Sequence, residues 1–253
     1  MTEKKSYTPG EFCWVELTTS DWKKASDFYT KLFGWTANAM PFAPDQPPYV
    51  MMQINGKNVC AMFENKQAHS AWLSYVAVSS ADESAKKAKS LGGKLAAAEP
   101  YDVMDVGRMT TVEDPAGAKF AIWQAKRHKG ADIAGEPNTV SWNELTTNDV
   151  AGAKKFYTGL FGWKLKESPE YTEVHVGATP VGGIFEMPKE MQGTPPYWMP
   201  YFAVSDCDAS TKKAKSLGAK AWVEPKDIPN TGRFAVLADP FGAPFAIIKL
   251  LSR

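Results

Sequence analysis

Glu16 and Glu144 sit inside two copies of one hexad, Trp14-Val15-Glu16-Leu17-Thr18-Thr19 and Trp142-Asn143-Glu144-Leu145-Thr146-Thr147. A carboxylate beside an indole, once enclosed in a cleft, loses hydration and holds its proton more tightly. That makes it a candidate general base for a proton next to a carbonyl. The competing use is structural: the carboxylate accepts hydrogen bonds from backbone amides or pairs with arginine. Arg108 and Arg233 each follow a glycine near a predicted strand start, and are candidates for that pairing or for binding a substrate carboxylate. Trp14, Trp72 and Tyr75 in one half, and Trp142, Trp198 and Tyr201 in the other, are candidate walls of two apolar pockets for a flat or aliphatic ligand. Core packing, or packing between halves, is the competing use of each.

The chain has three histidines. His69 and His128 fall in polar connections, where exposure is the expectation. His175 lies on a predicted strand two residues after Glu173, so both face one side and could hold a divalent metal, alone or with Glu144. An exposed strand is the alternative.

The elements that must position these groups are themselves repeated. Phe28-Tyr29 and Leu32-Phe33-Gly34-Trp35 return as Phe156-Tyr157 and Leu160-Phe161-Gly162-Trp163. Later, Gly107-Arg108, Asp114-Pro115 and Gly117 return as Gly232-Arg233, Asp239-Pro240 and Gly242. A repeat this long means two homologous halves: residues 8–126, a linker over 127–138, and residues 139–253, each long enough to bury a core of its own. Asp21 to Leu32 places Trp22, Ala25, Phe28, Tyr29 and Leu32 on one helical stripe, and Gly34 ends that helix. Strands follow at Tyr49–Ile54 and Val59–Phe63, joined through Asn55-Gly56 as a hairpin. The pattern restarts with a strand at Leu73–Val78 and a helix capped by Ser80 with Glu83, matched later by Ser205 with Asp208. Each half therefore reads as two β-α-β-β-β modules, four in all, an α+β chain. On the opening strand Cys13, Val15 and Leu17 should back onto helices, leaving Trp14, Glu16 and Thr18 on the open face, with Trp142, Glu144 and Thr146 in the copy. Asn143, on the supposed helix side, has no partner that the sequence explains.

With 29 basic and 28 acidic residues, the net charge of +1 gives no electrostatic case for nucleic acid or an anionic membrane. A small-molecule ligand is the expected partner; whether the chain self-associates is open. Cys13, Cys60 and Cys207 lack metal-site spacing and are expected as reduced thiols of a cytoplasmic protein. Met1–Gly10 is polar, with no apolar signal core, and no apolar run approaches a membrane span.

The repeated Trp-x-Glu-Leu-Thr-Thr strand, the Phe-Tyr and Phe-Gly-Trp pairs, and Gly232 to Ala243 resemble the glyoxalase, bleomycin-resistance and ring-cleaving dioxygenase superfamily, the vicinal oxygen chelate fold, in its tandem two-domain branch. The resemblance covers nearly the whole chain. It implies two glyoxalase-like domains whose curled mixed sheets surround clefts, with a divalent metal commonly binding substrate oxygens at the cleft base. Carried onto this chain, the family's metal positions fall on Trp14 and Trp142, Tyr75 and Tyr201, and Ala121 and Ala246. Those side chains are not the imidazole or carboxylate ligands such ions require. The resemblance thus implies a degenerate metal site, no cofactor, and a small-molecule-binding protein like those that sequester bleomycin. The alternative is an enzyme using Glu16 or Glu144 or a non-standard metal site, with lyase or isomerase chemistry expected ahead of ring-cleaving dioxygenation.

Overall fold

The computed structural model describes residues 3–41, 43, 45–191 and 193–251; Met1 and Thr2 of the polar N-terminal segment, and the last two residues, lie outside them. The first module runs β1 (Phe12–Thr19), α1 (Trp22–Phe33), β2 (Thr36–Met40), β3 (Tyr49–Ile54) and β4 (Lys57–Glu64). The second runs β5 (Ala71–Ala77), α2 (Ala81–Ser90), β6 (Lys94–Leu95), β7 (Tyr101–Val103), β8 (Gly107–Glu113) and β9 (Lys119–Ala125). The third is β10 (Val140–Thr147), α3 (Val150–Phe161), β11 (Lys164–Glu167), β12 (Tyr171–Val176) and β13 (Thr179–Glu186). The fourth is β14 (Tyr197–Ala203), α4 (Cys207–Ser216), β15 (Lys220–Ile228), β16 (Gly232–Ala238) and β17 (Pro244–Leu250).

Local chemistry sets these bounds. The Asp21 side chain accepts from Lys24 N to start α1, and Gly34 ends it in the left-handed region that glycine tolerates. Asn55 and Gly56 both take positive φ, which a two-residue hairpin requires. Ser80 caps α2 as its sequence indicates. At α4 the cap is Asp206 rather than Ser205, because its carboxylate reaches Ala209 N.

Within each half the two modules join edge to edge. One mixed sheet has the order β2-β3-β4-β1-β5-β9-β8-β6, with β7 also paired to β8; the other is β11-β12-β13-β10-β14-β17-β16-β15. The opening strands β1 and β10 are therefore central, and a row across the sheet links positions from both modules of a half.

The cores do not follow the halves. The stripe of α1, with Phe28, Tyr29 and Phe33, packs with Val15 and Met62 of its own module and with Phe202, Leu237, Phe245 and Ile247 of the fourth. Symmetrically, Phe156, Tyr157 and Leu160 of α3 pack with Val76, Val112, Phe120 and Ile122 of the second module. The expectation of one self-contained core per half is thus corrected. Each helix stripe is too apolar to face water, and the half to which it belongs covers only part of it. At roughly 1.5–3 kcal/mol per large buried apolar side chain, the shared cores couple the halves.

Polar anchors repeat the exchange. Tyr29 donates to Asp239 Oδ2 at 3.0 Å and accepts from Trp72 Nε1 at 3.1 Å. Its copy Tyr157 donates to Asp114 Oδ2 at 2.9 Å and accepts from Trp198 Nε1 at 2.8 Å. The indole N–H of Trp35 meets the Asn138 carbonyl just before β10, and that of Trp163 meets the Gly10 carbonyl just before β1. Among the described residues, no helix is long and apolar enough to cross a membrane.

Candidate functional site: the concave faces of the two sheets

Side-chain alternation along β1 puts Val15 and Leu17 in the helix-covered core and Trp14 with Tyr75, Met51, Ala61, Met109 and Ala121 on the opposite, concave face. The equivalent group in the second half contains Tyr201, Met199, Val236 and Ala246, with Trp142 and Phe234 packed against it. The register draws three of these positions into single rows. Trp14 pairs with Tyr75 and Tyr75 with Ala121; Trp142 pairs with Tyr201 and Tyr201 with Ala246. These are the positions onto which the family's metal ligands map. An indole, a phenol and a methyl group form no ligand set for a hard or borderline divalent cation. Among the described residues, no three His, Cys, Asp or Glu side chains come together as a metal site.

Glu16 and Glu144 stand one strand turn beyond those rows. Glu16 is 9% exposed and takes hydrogen bonds on both carboxylate oxygens, from Tyr75 Oη to Oε1 at 2.9 Å and from Tyr49 Oη to Oε2 at 2.5 Å. Burial pushes its carboxyl above the usual range, and the two phenols pull in the opposite direction. Glu144 accepts from Tyr201 Oη at 2.7 Å; its pKa is likewise raised by desolvation and lowered by hydrogen bonds from Tyr201 and Tyr171. The carboxylates are therefore paired with tyrosines, not with the arginines that the sequence offered. Tyr49 and Tyr171 were missed as site residues. Each opens the same strand of its module, and that repeated position was the available signal.

The remaining expectations divide. Trp72 and Trp198 do not line the clefts: three residues from Tyr75 and Tyr201 along a strand, they must face the opposite side, and they lie beneath the helices bonded to Tyr29 and Tyr157. Arg108 and Arg233 are on the helix side as well, alternating with the concave Met109 and Phe234. Arg108 clamps Asp82 through Nε and Nη2, both at 2.9 Å, in the first turn of α2. Arg233 holds Asp208 in the first turn of α4, and Asp227. His175 lies 3.0 Å from Glu173 Oε2, an oxygen that also faces Lys166. Glu173 is separated from Glu144 in its row by Gly183, roughly two strand spacings of about 4.8 Å each. The proposed trio does not assemble. His128, expected in solvent, is packed edge-on to Trp14 with ring centroids 4.6 Å apart and lies near Trp123; burial lowers its pKa. The linker delivers it there, and Gly130 permits the approach, with φ of +123° where a β-carbon would strike the Cys13 carbonyl.

The two concave faces are not equivalent. In the second half Tyr171 lies over Gly183, where a β-carbon would collide with its hydroxyl, and Trp142 Nε1 donates to that hydroxyl at 2.8 Å. In the first half the matching residue is Ala61, and the buried Trp14 Nε1 faces Tyr49 without meeting an acceptor at hydrogen-bonding geometry.

Paired βαβββ modules forming curled mixed sheets, with aromatic and acidic residues on their concave faces, define the vicinal oxygen chelate class of folds. The comparisons with known proteins agree. Residues 138–247 match the Glyoxalase/Bleomycin resistance protein/Dioxygenase superfamily, and residues 11–55 match the Bleomycin resistance protein-like N-terminal family. The chain is 37% identical, over 98% of both chains, to "Putative glyoxylase CFP32" of Mycobacterium tuberculosis. It is 34% identical to "Anthracycline biosynthesis protein DnrV" of Streptomyces peucetius over 96% of this chain and 94% of that one. Among solved structures, the Mn(II)-bound glyoxalase from Novosphingobium aromaticivorans superposes with a TM-score of 0.68 at 16% identity, covering 96% of this chain and 83% of that one. The 2,3-dioxygenase LapB from Pseudomonas sp. KL28 gives 0.63 at 14% identity, covering 98% and 93%. The chain belongs to the glyoxalase/bleomycin-resistance/dioxygenase superfamily.

Proposed function

We propose that this chain is a glyoxalase-like small-molecule-binding protein with two clefts and a degenerate metal site, working without a metal. The observation that carries this reading is the pair of rows Trp14–Tyr75–Ala121 and Trp142–Tyr201–Ala246, which put aromatic surface where a ligand set would have to stand. Trp14, Tyr75, Trp142 and Tyr201 give each cleft a flat apolar wall suited to stacking, and Glu16 and Glu144 with their phenols give it a polar end. Two relatives are named for anthracycline biosynthesis, and a planar fused-ring aromatic suits such a wall. Cys13, Cys60 and Cys207 are all free and buried, which supports a cytoplasmic location.

The test titrates the purified protein with an anthraquinone while following tryptophan fluorescence, and separately with Mn²⁺ by calorimetry. Saturable quenching without product, and no manganese uptake, is the expected result. Stoichiometric manganese binding or conversion of the probe overturns the reading.

A second reading has one observation in its favour: Glu16 and Glu144 are carboxylates with raised pKa on the concave face, as a general base would be. It predicts turnover of an enolisable 2-oxo compound that disappears in Glu16→Gln or Glu144→Gln. Against it, both oxygens of Glu16 are already engaged by phenols, so the base would have to give up one of these bonds to act.

A further inference from the structure

Where the two halves meet is a cavity lined from both opening strands, with Trp14 and Trp142 in its lining but not Glu16, Glu144, Tyr75 or Tyr201. Val15 and Asn143, which occupy equivalent places on the helix side of β1 and β10, both line it. The N-terminal segment and the linker wall one side: Lys4 N donates to the Asp132 carbonyl and Tyr7 Oη to the Ala131 carbonyl. The rest of the lining is largely apolar, including Val59, Val140 and Val181.

Asn143 is a buried polar residue of this wall, 2% exposed. Its Oδ1 accepts from the fully buried Ser74 hydroxyl at 2.7 Å, across the junction between halves. That bond uses the oxygen. Among the described residues the amide nitrogen donates to no partner. Asn143 is itself part of the cavity lining. Two N–H donors held in an apolar wall call for an acceptor, because a buried donor left unpaired is costly. The repeat shows that the fold does not require an amide here: the copy of Asn143 is Val15, and the copy of Ser74 is Pro200.

The charged residues of the lining are one of each sign, Lys4 and Glu11. Their charges offset, so the cavity offers no net field for an ion. We propose that this cavity is a second ligand site, away from Glu16, Glu144 and their phenols, for a small neutral molecule with an apolar body and a carbonyl oxygen that accepts from the Asn143 amide.

The probes are cyclohexanone and methylenecyclohexane, a matched pair in which a carbonyl is replaced by a methylene of the same shape. Binding is followed on the side-chain amide signals of the ¹⁵N-labelled full chain, with Asn143 assigned by its loss in a Ser74→Ala, Asn143→Leu double variant that leaves no orphan hydroxyl. The expected result is that cyclohexanone shifts the Asn143 signal and binds about fivefold or more tightly than the hydrocarbon, the difference of one buried hydrogen bond. That preference should vanish in the double variant. Val181→Phe fills the cavity from β13 while leaving the Asn143 side chain in place, and should abolish binding, while the thermal melt reports an intact fold; it decides the matter if the double variant does not fold. An unmoved Asn143 signal, equal binding of the two probes, contact of the amide with a resident water alone, or cyclohexanone binding retained in Val181→Phe overturns the proposal.

Discussion

Tyr29, on the first helix of the chain, donates a hydrogen bond from its hydroxyl to Asp239 Oδ2, in the last turn before the final strand, at 3.0 Å. Asp239 holds its other oxygen against the backbone amides of Phe241 and Ala243, so the tyrosine completes a turn in the opposite half. The repeat builds the same bond in reverse from Tyr157 to Asp114. Removing either hydroxyl leaves a carboxylate short of a donor and an indole without an acceptor. Tyr29→Phe and Tyr157→Phe should each cost about 1–3 kcal/mol, read as a lower urea midpoint with unchanged slope.

The exchanged cores make a second prediction. Residues 8–126 expressed alone would leave the α1 stripe of Phe28, Tyr29 and Phe33 without its cover of Phe202 and Phe245. Such a fragment should be unfolded, or should dimerise to restore the missing face. Circular dichroism with size-exclusion chromatography distinguishes these outcomes from a stable, folded monomer, which would show the halves to be independent.

Glu16 makes stability depend on pH in a stated direction. Its folded pKa lies above the ordinary value of 4.5 because burial disfavours the charged form. The folded state therefore binds the proton more tightly than the unfolded chain, and this contribution grows as pH falls through the folded pKa and levels off below 4.5. Relative to Glu16→Gln, the wild-type protein should gain stability as pH is lowered from neutrality toward that value. A difference that is flat, or that slopes the other way, would show that the two phenols outweigh burial.

Arg108 and Arg233 look like anion-binding residues in the sequence but fasten helices α2 and α4 to the sheet. Arg108→Ala and Arg233→Ala should leave the affinity for a cleft ligand unchanged in a fluorescence titration. A large loss of affinity would return them to the site.

Gly183 sets the difference between the two concave faces. In Gly183→Ala the new methyl displaces Tyr171, releasing the Trp142 indole N–H from its acceptor. The Trp142 indole proton signal should then move upfield, as expected on loss of a hydrogen bond, and the other indole signals should hold their positions.

Much of this was legible in the chain. The Asp21 and Ser80 caps, the Gly34 stop and the Asn55-Gly56 hairpin are local, set by backbone conformations and short-range bonds that a few residues decide. Alternation placed Trp14 and Glu16 on the open face because a strand has period two, and the same rule, when not applied to Trp72 and Tyr75, put Trp72 on the wrong side. The repeat fixed four modules, and the family resemblance implied the positions where a metal would have had ligands.

What the sequence did not decide is which surfaces meet. Tyr29 reads as a core residue in any pairing of modules, since burial of an apolar stripe is non-directional and does not name its cover. Asn143 had no account until the two halves came together and set Ser74 against it. His128 reads as solvent-exposed until the linker folds back and lays it on Trp14. Pairing across more than a hundred residues depends on shape and on the few directional bonds that tolerate one partner, and those become visible only when the chain has closed on itself.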